Sequence, residues 1–158
     1  MNEMSLSTFN KKAGLSLVSG AIMFLAAFSV DAGSAVAFPG KYKAKLVSID
    51  AANVISLYVD VWAGYPRSFK VSLPGVAIPV VTLKTPVCQV ALLKKAEALT
   101  NEFINDAEFI EVKDIRMENT AGQDATSEIY TNKGSLSAKL KAEGVARPVS
   151  IEPTKPWC

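Results

Sequence analysis

Few side chains in this sequence could move a proton or hold a metal. Two or three converging carboxylates would suit a hard divalent cation or a general acid–base pair. Candidate carboxylates include Asp50, Asp60, Asp124 and Glu128. Their spacing marks no metal cluster, and Asp60 and Glu128 read most simply as outward-facing strand residues. Ser135 and Ser137 have no histidine to activate them, because the chain contains none. The commonest general base and the commonest zinc ligand are therefore both missing. The only two cysteines, Cys88 and Cys158, are too far apart in sequence to form a Cys-x-x-Cys redox pair. Lys41, Lys43 and Lys45 alternate along one run. That stripe suits phosphates, but lysines guarding a solvated strand edge are the more ordinary reading.

The elements that must position these groups are clearest over residues 45–79. Ile55, Leu57, Val59 and Val61 alternate with Ser56, Tyr58 and Asp60, the period of a half-buried antiparallel strand. The turn Ala63-Gly64-Tyr65-Pro66 follows, and then Phe69, Val71 and Leu73 alternate with Ser68, Lys70 and Ser72. Two such runs across a Gly/Pro turn predict a hairpin or meander. A third strand is expected over 42–49. After Pro86 the spacing predicts a helix to Asp106, with Cys88, Leu92, Ala96, Leu99 and Phe103 on one stripe. A fourth strand is expected over 109–117. Its alternation slips between Lys113 and Ile115, which indicates a bulge. A polar loop over 118–124 leads to a fifth strand over 126–131. Ser135 then caps a short helix that ends at Gly144, and a proline-rich tail closes the chain.

Residues 1–37 read as a leader. Lys11 and Lys12 precede an apolar run over 13–30, and Ala35-Val36-Ala37 ends in a signal-peptidase pattern, with cleavage expected between Ala37 and Phe38. An uncleaved membrane anchor is the competing reading, because the run is near the ~18-residue lower limit for spanning a bilayer. Either way, residues 38–158 form one exported domain, expected in a bacterial periplasm and tied to the inner membrane if the segment is retained. In an oxidising compartment Cys88 and Cys158 are expected to pair as a disulfide. Charge is nearly balanced, with 17 Lys+Arg against 15 Asp+Glu. That is no nucleic-acid footprint by itself.

The order of these motifs resembles the staphylococcal-nuclease-like (thermonuclease) family. It is most similar to that family's exported proteobacterial and plasmid-borne branch. The resemblance rests on strand, Asp50-x-x, strand, Trp62-Ala63-Gly64, strand, the run LPGVAIP at 73–79, helix, and the terminal Pro156-Trp157-Cys158. It covers residues 42–158. It implies a mainly β fold: a five-stranded OB-fold barrel with one long and one short helix. The family's activity is calcium-dependent phosphodiester hydrolysis.

The same resemblance implies that the active site is degenerate here. In the window of the first metal-binding motif Asp50 remains, but a ligand position is Ala52. The phosphate-clamping arginine falls on Ser72. The carboxylates of the following loop fall on Ala77 and Val80. A second arginine falls on Gln123. Calcium takes about six to eight oxygen ligands, and the side chains of Ala52, Ala77 and Val80 supply none. Removing one group that stabilises transition-state charge typically costs about 10²–10³ in rate. The expectation is therefore a pseudo-nuclease with no catalytic residues, no metal site and no cofactor. Its role would be binding or structural, with protein partners in the cell envelope such as a secretion or conjugation complex, and Trp62 as the candidate contact. The alternative is a residual calcium-dependent nuclease or a nucleic-acid binder.

Overall fold

The computed structural model describes residues 35–150 and 155–158. Apart from Ala35, Val36 and Ala37, the expected leader lies outside the described residues. The first strand, β1 (Ala35–Ala51), is longer than the run expected over 42–49. It begins upstream of the Ala37–Phe38 bond and carries Phe38 into the core.

The alternating runs become strands as their period requires. In β2 (Val54–Trp62), Ile55, Leu57, Val59 and Val61 are buried, while Tyr58, Asp60 and Trp62 face out. A turn at Ala63 and Gly64 returns the chain into β3 (Tyr65–Ser72), which buries Phe69 and Val71. After the two-residue β4 (Val76–Ala77) come helix α1 (Val87–Asn105), β5 (Ile110–Met117), β6 (Asp124–Thr131) and the short β7 (Gly134–Ser135). Helix α2 (Leu136–Ala142) and β8 (Arg147–Pro148) complete the described elements.

Five strands pair in the order β3–β2–β1–β5–β6, with every neighbour antiparallel. Lys70–Ser72 of β3 then run parallel to Asp124–Thr126 of β6, and this seam closes the sheet into a ring. The ring encloses one core of apolar side chains from its five strands, aliphatic apart from Phe38 and Phe69. The fold is thus mainly β, with two helices among the described residues.

β1 serves two partners in turn. Residues 35–44 pair with β5, and residues 44–51 pair with β2. The change of partner needs a bend. Gly40 supplies it with φ +106°, a conformation that costs glycine little. Opposite it, Asp114 has φ +50° and marks the bulge expected between Lys113 and Ile115. The Gly40 N–H donates to Asp114 Oδ1 across 2.8 Å, so the two irregularities brace each other.

Helix α1 buries Ala96, Thr100, Phe103 and Ile104, with Leu92 and Leu99 half-buried beside them. The expected stripe is therefore correct in its middle and end, whereas Cys88 is exposed at its start and makes a different contact. Cys88 is disulfide-bonded to Cys158, with Cα atoms 6.4 Å apart. A disulfide of this kind fits an oxidising, exported setting. The tail is held further by pairing of β8 with β4 and by the Arg147 guanidinium, stacked 3.6 Å above the Trp157 ring. No helix among the described residues is long and apolar enough to cross a membrane.

Ser135 caps α2, its hydroxyl accepting from the Ala138 N–H at 3.1 Å. The Glu128 carboxylate accepts from the Ser135 hydroxyl and from the Ser137 N–H and hydroxyl. Both serines are thus occupied in holding the helix start to β6.

Candidate functional site

The outward positions of the ring line up across strands. Ser48 of β1 lies opposite Ser56 of β2, Ser56 opposite Lys70 of β3, and Lys70 opposite Asp124 of β6. Asp50 joins this row from the end of β1. Its carboxylate accepts from the Ser48 hydroxyl at 2.7 Å and from the Ser56 hydroxyl at 2.6 Å. Those two bonds, Ser56 first, hold the Asp50 carboxyl below its ordinary value, and the Lys70 ammonium adds to the effect. Asp50 is therefore a solvent-facing carboxylate already satisfied by hydroxyls.

The next row crosses the seam. Ser72 lies opposite Thr126, and Thr126 opposite Arg116 of β5. Ser72, Arg116, Glu118, Asn119, Gly122, Asp124 and Thr126 line an open cleft of about 380 Å³. Arg116 is the residue here that sequence reasoning missed. The Asp114 bulge turns it to the outer face, and the slip in alternation at that point was the available signal.

The expected degenerate positions are not all in one place. Ser72 and Gln123 both flank the seam, where the Lys70 N–H donates to the Gln123 carbonyl at 2.9 Å. Ala52 is fully buried in the turn between β1 and β2, and its carbonyl accepts from the Thr100 hydroxyl of α1 at 2.7 Å. Ala77 lies in β4 opposite Arg147, and Val80 is exposed beyond it. Neither lines the cleft at Ser72. Among the described residues no three His, Cys, Asp or Glu side chains converge as a metal-binding group. The chemistry this face offers is hydroxyls, two cations and separated carboxylates.

A second surface lies at the turn end of the β2–β3 hairpin. Trp62 is 64% exposed and Tyr65 63%, with ring centroids 6.0 Å apart. Trp62 also packs edge-on against Phe38 at 5.9 Å, and Phe38 in turn against the buried Phe69 at 5.8 Å. The Arg67 guanidinium lies 5.3 Å from the Phe69 centroid and donates to the Thr120 and Gly122 carbonyls. Arg67, also missed from the sequence, thereby locks the 118–123 loop onto β3. The patch is a rigid aromatic surface with one ring on the core and two in solvent. Trp62 is thus both packed and exposed.

No protein-family model matches this chain, and no curated protein is significantly similar to it.

Proposed function

We propose that this chain is a non-catalytic, nuclease-like module of OB type. In this reading it is exported to the cell envelope, where it docks a protein partner through the Trp62–Tyr65 surface. Supporting the OB assignment is the strand order β3–β2–β1–β5–β6 with a parallel β3–β6 seam. The observation that carries the functional reading is the composition of the seam face: Asp50 is bonded to two serines, and Ser72 and Gln123 fall where the resemblance would place arginines, while Ala52, where it would place a metal ligand, is sealed in the core away from that face. An aromatic pair on a rigid base suits protein recognition, because Trp and Tyr give large contact area at small entropy cost. A secretion or conjugation complex in the periplasm is the partner class proposed.

A photo-crosslinking side chain in place of Trp62, in cells, tests this. A discrete protein adduct, absent when the same group replaces the exposed Lys133, supports the reading. Identical patterns from both positions contradict it.

A second reading has one specific observation behind it. Lys43 and Lys45 share a cleft of about 540 Å³ with Tyr58, Phe109 and Pro66, a pairing of cations and rings that suits single-stranded nucleic acid. Binding of that kind weakens steeply as salt rises, and docking through Trp62 does not.

A further inference from the structure

The connection between β4 and α1 is unlike the rest of the surface. Leu83 is fully exposed at 108%, Val87 at 85% and Val80 at 72%, and Val81 is exposed beside them. Exposed single aliphatic residues are ordinary, but here four fall within eight positions of the chain, a concentration that marks interaction surfaces. The segment is held in shape. The Thr82 N–H donates to Thr85 Oγ1 at 2.6 Å, and the Thr85 N–H donates to the Thr82 carbonyl at 3.1 Å. Gln89 Nε2 donates to the Val80 carbonyl at 2.8 Å and staples the segment to α1. The disulfide at Cys88 fixes the base. The result is a tight turn that presents Leu83 and Lys84 at its tip.

Two features select the occupant. The exposed apolar side chains of the segment are aliphatic, with no aromatic ring among them, whereas the anchors of protein interfaces are chiefly Trp, Tyr and Arg. Its charge is of one sign: residues 80–96 include Lys84, Lys94 and Lys95 and no Asp or Glu. Among the described residues, Lys95 has an ion-pair partner in Glu143 at 3.6 Å. Aliphatic side chains beside a lysine on a fixed turn suit the boundary of an anionic bilayer, where the apolar groups enter the acyl region and the ammonium stays with the headgroups. We infer that the 80–87 segment is a membrane-inserting tip that seats this domain on an anionic lipid surface. The inference is independent of the protein-docking reading, which uses the opposite kind of side chain on β2 and β3.

The test places an indole at the tip. Leu83→Trp in the full chain is mixed with phosphatidylcholine–phosphatidylglycerol vesicles that carry brominated acyl chains, with the native chain and its Trp62 and Trp157 as reference. Leu83 is fully exposed, so the change leaves the core intact. The expected result is a blue-shifted emission, quenched well beyond the native change. Adding Lys84→Glu reduces the quenching, since one basic side chain at an anionic surface contributes about a fivefold factor in affinity. An introduced indole that keeps its water-exposed emission and is quenched no more than the native tryptophans overturns the inference. That holds equally if the tip then proves to sit in a protein.

Discussion

The hydroxyl of Thr100 donates to the backbone carbonyl of Ala52 across 2.7 Å, and both residues are fully buried. This bond joins the middle of α1 to the turn between β1 and β2. It occupies the position where the resemblance expects a lost metal ligand, and it makes that loss structural as well as chemical. A carboxylate at 52 would lie under the helix, out of water and without a partner.

Ala52→Asp is therefore expected to cost about 2–4 kcal/mol of stability, because a buried, unpaired acid must either remain charged or take up a proton. Calcium is expected to recover none of it. Urea denaturation of the variant, with and without calcium, checks both statements. Thr100→Val tests the bond from its other end. It leaves the carbonyl short of a donor and costs about 1–2 kcal/mol.

The bend of β1 depends on Gly40 and Asp114. Asp114→Ala removes the 2.8 Å bond to the Gly40 N–H and leaves an alanine at φ +50°. About 1–2 kcal/mol of destabilisation is expected. Asp114→Asn keeps an acceptor and tolerates that φ, so it is expected to cost clearly less. Thermal unfolding of the two variants side by side gives the comparison.

The disulfide closes a separation of 70 residues. In the chain-entropy model a loop of that size contributes up to about 4 kcal/mol. Cys88→Ala with Cys158→Ala is expected to lose a large part of this. It should also loosen the 155–158 tail, whose other ties include the Arg147 stack on Trp157 and the Arg147 bond to the Pro156 carbonyl. Intact protein is expected not to react with a thiol reagent until it is reduced. Labelling without reduction contradicts the pairing.

Asp50 has a depressed pKa, so its linkage to stability follows the acidic pattern. The contribution is present above the ordinary carboxylate value and is lost as pH falls through the lower folded value. Because the group is exposed, the effect on global stability is small and a direct titration is the better readout. Carboxyl-detected NMR is expected to show Asp50 titrating below the ordinary range. Ser56→Ala, which removes the largest cause, is expected to move it up more than Ser48→Ala does. Equal and unchanged values in both variants would remove the hydroxyl explanation.

Much of this fold was legible because the side-chain period of a half-buried strand is written directly in β2 and β3. The turn at Ala63 and Gly64 and the Ser135 cap each have a local physical cause, although Tyr65 and Pro66, expected in that turn, belong to β3. The bulge at Asp114 was legible as a broken alternation, but its consequence was not, because the partner that braces it, Gly40, is 74 positions away. Arg67 and Arg116 were missed for the same reason. Nothing local shows that Arg67 reaches the carbonyls of the 118–123 loop, and the broken alternation could turn Arg116 outward but not show that it lies beside Ser72. β4 and β8 are two residues each and exist only through pairing with each other. Sequence periodicity cannot announce a strand that short. The lysines at 41 and 43 stand along the part of β1 that pairs on one side only, so the edge-guarding reading fits their position.

The proposed lack of catalytic power at the seam face is tested by calcium-dependent hydrolysis of a fluorescent single-stranded DNA by the purified chain. A rate equal to the no-protein blank is expected at every calcium concentration, unchanged by Asp50→Ala. Saturable, calcium-dependent cleavage that disappears in Asp50→Ala would contradict it and restore an enzyme at this site.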